Sequence, residues 1–411
     1  MSLLAVAAAQ ERLLSRTEPL IDIESVSLHA ADGRVLAEDL AARLTQPPFD
    51  ASAMDGYALR SGDASQIGSE LTVIGTSSAG HAFSGTVGQG EAVRIFTGAP
   101  VPAGADVVLI QEDAERLDGN RIRNSFVPIA GRHIRPRGQD FAEGEVVLKR
   151  GTPLDFSRLT VAAAMNHATL PVYRRPLVAV IATGDELVTP GNQPGMAQIV
   201  ASNTYGISAL ARNAGADILD LGIVPDDKQQ ITAAIDRARE DGVDVIVTLG
   251  GASVGDHDLV QSTMVDAGMQ LDFWRIAMRP GKPLMVGSLG NTHVLGLPGN
   301  PVSTLVCGLL FLEPLLRKLS HLPPARREAT ALAAAALPAN DQRQDYLRAR
   351  LSRDAEGNLL AESYGKQDSS MMKIFAHSDC LIIRPPHAPE LPAGLPCPIL
   401  LLRPGTVSAD R

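Results

Sequence analysis

Positive charge and glycine meet in one short run of this chain, Arg275-Ile276-Ala277-Met278-Arg279-Pro280-Gly281-Lys282-Pro283. Arg279 and Lys282 flank a rigid Pro-Gly turn, so two cationic groups can point into one space and hold an oxyanion. Three further loops offer main-chain donors: Thr183-Gly184-Asp185-Glu186-Leu187, Gly250-Gly251-Ala252-Ser253-Val254-Gly255-Asp256 and Gly296-Leu297-Pro298-Gly299-Asn300-Pro301. Glycine lets a ligand approach the backbone closely, and amides at a helix start favour an anion. Asn300 as N-cap and Pro301 at the first helical position fit the entry to the apolar helix that follows, although Pro-Gly-Asn-Pro alone also reads as a tight turn. Asp55, Asp140, Glu186, Asp226 and Asp258 all fall in loops, and one or two carboxylates with substrate phosphates would serve magnesium. Asp226 and Asp227, after Pro225, have the simpler reading of a helix cap. A second basic cluster, Arg132, His133, Arg135 and Arg137, precedes Asp140.

The elements that must position these groups follow from patterning. From Arg175 onward, strand, loop and helix alternate: strands at Leu177 to Ala182, Ile218 to Val224, Val243 to Leu249 and His293 to Leu297, helices at Thr204 to Asn213, Lys228 to Glu240, Asp258 to Ala267 and Val302 to Lys318. Such alternation predicts a parallel sheet covered on both faces, with ligands at the carboxyl ends of its strands. The three glycine loops then share one edge of the sheet. Before this region, residues 1–43 with 141–172 read as a discontinuous N-terminal domain that includes a first helix, and 44–140 as a mostly β domain. The α/β domain spans 173–322. Residues 323–411 read as a C-terminal β-barrel-like domain.

Composition narrows the function. A net charge of −9 argues against a general nucleic-acid or anionic-membrane binder. No apolar run reaches the ~20 residues of a membrane span. The three cysteines, Cys307, Cys380 and Cys397, make no CxxC pair, which fits a reducing, cytoplasmic setting. Dehydrogenase, P-loop and α/β-hydrolase readings lose their support, since neither GxGxxG, Walker A nor GxSxG stands in the required context. What remains is a pocket for a phosphorylated organic molecule together with an inorganic oxyanion.

Longer motifs sharpen this. Pro47-Pro48-Phe49-Asp50-Ala51-Ser52-Ala53-Met54-Asp55-Gly56-Tyr57-Ala58 resembles the signature loop of the MoeA-type molybdopterin molybdenumtransferases. Arg94 to Pro102, the Thr183 to Leu187 loop, the Gly250 to Gly255 loop, Pro280 to Pro283 and Leu297 to Ser303 resemble that family's other hallmarks in order. The resemblance implies an elongated homodimer with a shared active site and a doubly wound domain of the molybdopterin-binding type. It implies a reaction in which adenylated molybdopterin is hydrolysed, molybdate delivers molybdenum to the dithiolene, and AMP leaves, with Mg2+ required. By the same likeness Arg279, Lys282, Ser303, Arg348 and Ser369 would hold molybdate. Thr97, Gly250, Gly251, Ser253, Gly255, Arg275, Pro298, Gly299, Asn300 and Pro301 would bind pterin and nucleotide. Asp55, Asp140, Glu186, Asp226 and Asp258 would be catalytic, with Glu186 and Asp226 as metal ligands. Transient contacts with the pterin-adenylating protein and with molybdoenzyme apoproteins are further expectations. Two departures stand out: Arg275 and Arg279 replace lysines common in the family, and Gln367-Asp368-Ser369-Ser370 lacks a glycine before Ser369.

Overall fold

The computed structural model describes residues 3–250 and 259–403. They divide into two compact units, 25–172 and the remainder.

In the larger unit the α/β core is a six-stranded sheet. Its order is Asp217–Val224, Leu177–Thr183, Val245–Leu249, Thr292–Leu297, Pro283–Leu289 and Gln270–Arg275. The first four strands run parallel, as the alternation predicts. The last two were not read from the sequence, and Pro283–Leu289 runs antiparallel to both neighbours. The tight turn at Gly290, φ +62, reverses the chain between Leu289 and Thr292.

Burial on both faces explains the composition of these strands. Val178, Val180, Val245, Val247 and Leu295 pack on one face with Ile207, Val302 and Phe311. Ala179, Ile181, Ile246 and Val294 alternate onto the other, against Ile231, Ile235 and Met264. Each fully buried valine or isoleucine contributes roughly 1.5–3 kcal/mol. The helix Lys228–Glu240 buries Ile231, Ile235 and Ala238 along one stripe. Asp227 caps it by accepting from the Gln230 amide at 2.9 Å, a bond worth about 1 kcal/mol.

Two readings change here. The helix Val6–Ser15 places Val6, Ala9 and Leu13 in the α/β core, whereas Ala31, Leu36, Leu40 and Ala42 do pack with Phe141, Leu148 and Met165. The run after Pro301 is helical throughout, as expected, but not uniformly α: Pro301–Cys307 passes into a π turn, Gly308–Leu312, before Glu313–Leu319. Pro314 explains it, since its ring excludes the carbonyl four residues back and the wider turn makes room.

Beyond residue 327 the strands close into a barrel. Gln344–Arg353, Leu359–Ser363, Glu328–Ala333, Pro396–Leu401 and Cys380–Arg384 pair in sequence, and the last returns to the first. Met278–Arg279, from the α/β segment, adds to this sheet in parallel beside Gln344 and Asp345. A buried ion pair supports the junction. Arg327 donates through Nε and Nη2 to Glu313 at 2.6 and 2.9 Å, and through Nη1 to the carbonyls of Leu401 and Leu402.

The unit 25–172 is built on its own six-stranded sheet, Val107–Ile110, Gly56–Leu59, Glu91–Ile95, Glu70–Ser77, Arg121–Asn124 and Ala114–Leu117. The helix Phe156–Ala164, capped by Asp155, belongs to its second core.

Candidate active site

At the carboxyl ends of Leu177–Thr183 and Val245–Leu249 the α/β body opens into a cleft of about 1030 Å³. Gly184, Gly250 and Gly299 all lie on its wall, so the three glycine loops converge as their order on the strands requires. Gly250, at φ +102, has no room for a side chain: a Cβ there would lie 2.8 Å from the carbonyl oxygen of Thr183.

The Pro298-Gly299-Asn300-Pro301 turn is held from outside. Asn203 Nδ2 donates to the Gly299 carbonyl at 2.8 Å and to Thr304 Oγ1 at 3.1 Å. The Thr304 hydroxyl donates in turn to the Pro298 carbonyl. Asn300 occupies the N-cap position, but its side chain makes no capping bond. Capping by the side chain, expected from residue type, is therefore not what places Asn300.

Two of the expected carboxylates, Glu186 and Asp226, face this cleft. Asp227 does the capping and leaves Asp226 to the cleft. Burial holds the Asp226 carboxyl above its ordinary pKa, and the charges of Asp185 and Glu186 push the same way. These three exposed acids crowd one another at the cleft, and a perturbed carboxylate in a cleft is a candidate functional group.

The cations are arranged differently from the expectation. Arg279 is not on the cleft wall, and its fork is occupied: Nε donates to Asp345 Oδ1 at 2.8 Å, Nη2 to Asp345 Oδ2, and Nη1 to Asp341 at 3.2 Å. The strand pairing of Arg279 with Asp345 causes this, because it sets the two side chains at one register position. Lys282 is exposed and adjoins Pro283, which does line the cleft. Arg348 is 1% exposed; its Nε donates to Gln367 Oε1 at 3.0 Å and its Nη1 to the Asp368 carbonyl. The Ser369 carbonyl accepts from the Val302 amide at 3.0 Å, beside buried Ser303. The expected molybdate set is thus held by separate groups of bonds, Arg279 to Asp345, Arg348 to Gln367 and Asp368, and Ser369 to Val302. Lys282 and Ser369 adjoin the cleft-lining residues Pro283 and Ser370, and none of the five is itself on the wall.

Comparison with known proteins decides the family. Residues 4–166 match the MoeA N-terminal region (domain I and II), 179–318 the probable molybdopterin binding domain, and 330–402 the MoeA C-terminal region (domain IV). The molybdopterin molybdenumtransferase of Haemophilus influenzae is 34% identical over 394 residues, covering 95% of this chain and 97% of the relative. Molybdopterin molybdenumtransferase 2 of Mycobacterium tuberculosis is 38% identical over 383 residues, covering 90% and 93%. The molybdopterin biosynthesis MoeA protein from Pyrococcus horikosii, a crystal structure 30% identical to this chain, aligns with a TM-score of 0.81 over 98% of this chain and 100% of its own.

The chain belongs to the MoeA family of molybdopterin molybdenumtransferases. It is a transferase with a role in molybdenum cofactor biosynthesis.

The remaining expected residues of this MoeA family member fall elsewhere. Asp55, Thr97 and Asp140 belong to the unit 25–172. There the Asp55 carboxylate accepts from the Thr97 amide at 2.8 Å and from its hydroxyl at 2.9 Å, bonds that lower the Asp55 pKa. The two motifs that resemble the family are therefore in direct contact. Arg275 is exposed and stacks its guanidinium 4.4 Å over the Trp274 ring, away from the cleft wall. Gly251, Ser253, Gly255 and Asp258 lie outside the described residues. Thr183, Ser202, Asn203, Thr204, Ser370 and Met372 line the cleft and were not among the expected site residues. Of these, Ser202-Asn203-Thr204 carried a signal, a polar triplet at the start of a helix that follows a short strand.

Proposed function

We propose that this enzyme inserts molybdenum into adenylated molybdopterin and releases AMP. The observation that carries the reading is the cleft itself, where three glycine-bearing strand ends face Glu186 and Asp226 over a volume suited to a nucleotide-linked pterin. Main-chain donors of the Gly299 loop, at the start of the helix Pro301–Cys307, would take phosphoryl oxygens. Asp226 or Glu186 would orient the water that attacks the phosphoanhydride, so that one P–O bond forms as the bridging P–O bond breaks and AMP departs.

Magnesium fits this donor set. Glu186 and Asp226 offer hard carboxylate oxygens, and the pKa of Asp226 is raised first by partial burial and then by the charges of Asp185 and Glu186, both of which a bound cation would offset. Among the described residues no three ligand-type side chains converge, so water and phosphate oxygens would complete the shell. When bound, magnesium supplies positive charge opposite the pyrophosphate.

Molybdate, as substrate, would sit at the joint between the cleft and the barrel. Lys282 and Ser303 would contact it directly, while Arg279, Arg348 and Ser369 hold the joint, with Arg279 sharing its charge between Asp345 and the oxyanion. Arg279→Ala is then expected to lower molybdate-dependent AMP release about a hundredfold with little change in pterin binding. A nucleotide-release assay beside a binding titration checks this, and equal loss of both would count against it.

Asp55, Thr97 and Asp140 enter through a second copy of the chain in a homodimer with a shared active site. Mixing an inactive Asp55→Ala protein with an inactive Asp226→Ala protein should restore part of the activity after subunit exchange. No recovery from a mixture proven to contain heterodimers would refute the sharing. The same reading places the enzyme in the cytoplasm, in transient contact with the pterin-adenylating protein and with molybdoenzyme apoproteins.

A further inference from the structure

Among the described residues, two threonine hydroxyls of the α/β sheet, those of Thr183 and Thr248, are buried without a hydrogen-bond partner. The residues are 4% and 1% exposed. A buried hydroxyl that donates to nothing costs stability, and native proteins keep few of them. Their positions differ in a telling way. Thr248 lies within its strand, paired beside Ile181 and Gly296, and is not on the cleft wall. Thr183 ends its strand on that wall, between Ala182 and Gly184.

Glycine backbone, not a side chain, packs beside the Thr183 hydroxyl. A Cβ on Gly250 would lie 3.2 Å from Thr183 Oγ1, and the positive φ of Gly250 independently excludes a side chain there. Next to it the Glu186 carboxylate packs against Gly184, where a Cβ would collide with its oxygens, so a cleft acid stands beside the strand end. A buried, unpaired hydroxyl in a residue that ends its strand on a cleft wall, with glycine backbone beside it, suits a ligand acceptor atom that reaches the wall there.

We infer that the Thr183 hydroxyl recognises the occupant of the cleft by donating to one of its acceptor oxygens, of the phosphoryl or carbonyl class, and that this bond discriminates for the ligand. The inference rests on the proposed substrate and adds a specificity-determining residue to it. Unliganded, the protein carries the cost of the unmet donor. Occupied, it recovers that cost as affinity.

The test compares Thr183→Val, Thr183→Ser and Thr248→Val in the full chain, with AMP and adenylated molybdopterin as the probes. Both valine variants should raise the Tm of the unliganded protein by about 2–4 °C, because each removes an unmet donor at nearly constant shape. Only Thr183→Val should weaken binding, by about tenfold, which is 1.4 kcal/mol. Thr183→Ser should bind as the wild type does. Thr183→Ala carries the same binding readout should the valine variant fail to fold. A fall in Tm for Thr183→Val with unchanged affinity would mean that the hydroxyl serves a structural partner such as a fixed water, and would overturn the inference. So would equal weakening by Thr248→Val, which would signal a general disturbance of the sheet. Wild-type protein that binds neither probe removes the proposed substrate as well, whereas wild-type binding that Thr183→Val leaves intact removes only the role of Thr183.

Discussion

Arg327→Met is expected to cost the fold about 3–5 kcal/mol, because it strands the Glu313 carboxylate in a buried place with no counter-charge. Both residues of the pair are buried, and the geometry is two parallel N–H to oxygen bonds. The same substitution also orphans the carbonyls of Leu401 and Leu402, which the guanidinium Nη1 satisfies. Equilibrium denaturation of wild type and variant gives the difference directly. Replacing both members, Arg327→Met with Glu313→Leu, should recover most of the loss but not all, since the two carbonyls stay unmet. If the double variant were no more stable than the single one, the cost would lie in packing and not in the stranded charge.

Asp226→Asn should lower molybdate-dependent AMP release by about 10²- to 10⁴-fold, the range expected when a water-orienting carboxylate is lost. The same change should make the unliganded protein more stable at neutral pH. Asp226 has a raised pKa in the folded state, so the fold prefers its neutral form. The stabilising contribution is full below the ordinary aspartate range and is lost as pH rises through the raised value. At neutral pH the ionised group is a net cost, and the amide removes it. Asp227→Asn serves as the contrast, because asparagine caps a helix about as well as aspartate and the rate should barely move. Thermal scans at pH 4.5 and 7.5 beside a rate assay decide the matter: a variant that loses stability at neutral pH, or keeps its rate, would show that Asp226 supports structure alone.

How far the sequence disclosed this protein depends on the range of the interaction. The helix Lys228–Glu240 was legible to the residue because its cap, its apolar stripe and its closing Gly242 are all local. The parallel strands were legible because burial on both faces makes continuous apolar runs, and the glycine loops that follow them told where the cleft would lie. The strands Gln270–Arg275 and Pro283–Leu289 were not, since nothing local separates a short antiparallel strand from a loop beside a charged turn. Arg279 shows the limit most clearly: its charge is visible in the sequence, but the carboxylate that takes its fork is Asp345, 66 residues away. The packing site of the first helix was hidden for the same reason, as an apolar stripe fits many cores equally well.

The two-residue strand Met278–Arg279 makes the barrel inseparable from the body before it. A protein truncated ahead of residue 328 would not be a smaller working module. It would leave Met278, fully covered in the intact chain, facing water and would free the main chain of Met278 and Arg279 from its neighbour. It would also leave the Arg279 guanidinium without either of its acids, and Glu313 with a free end next to Arg327. Dissection of the chain for expression should therefore keep 173–403 as one piece and retain the helix Val6–Ser15 that packs into its core.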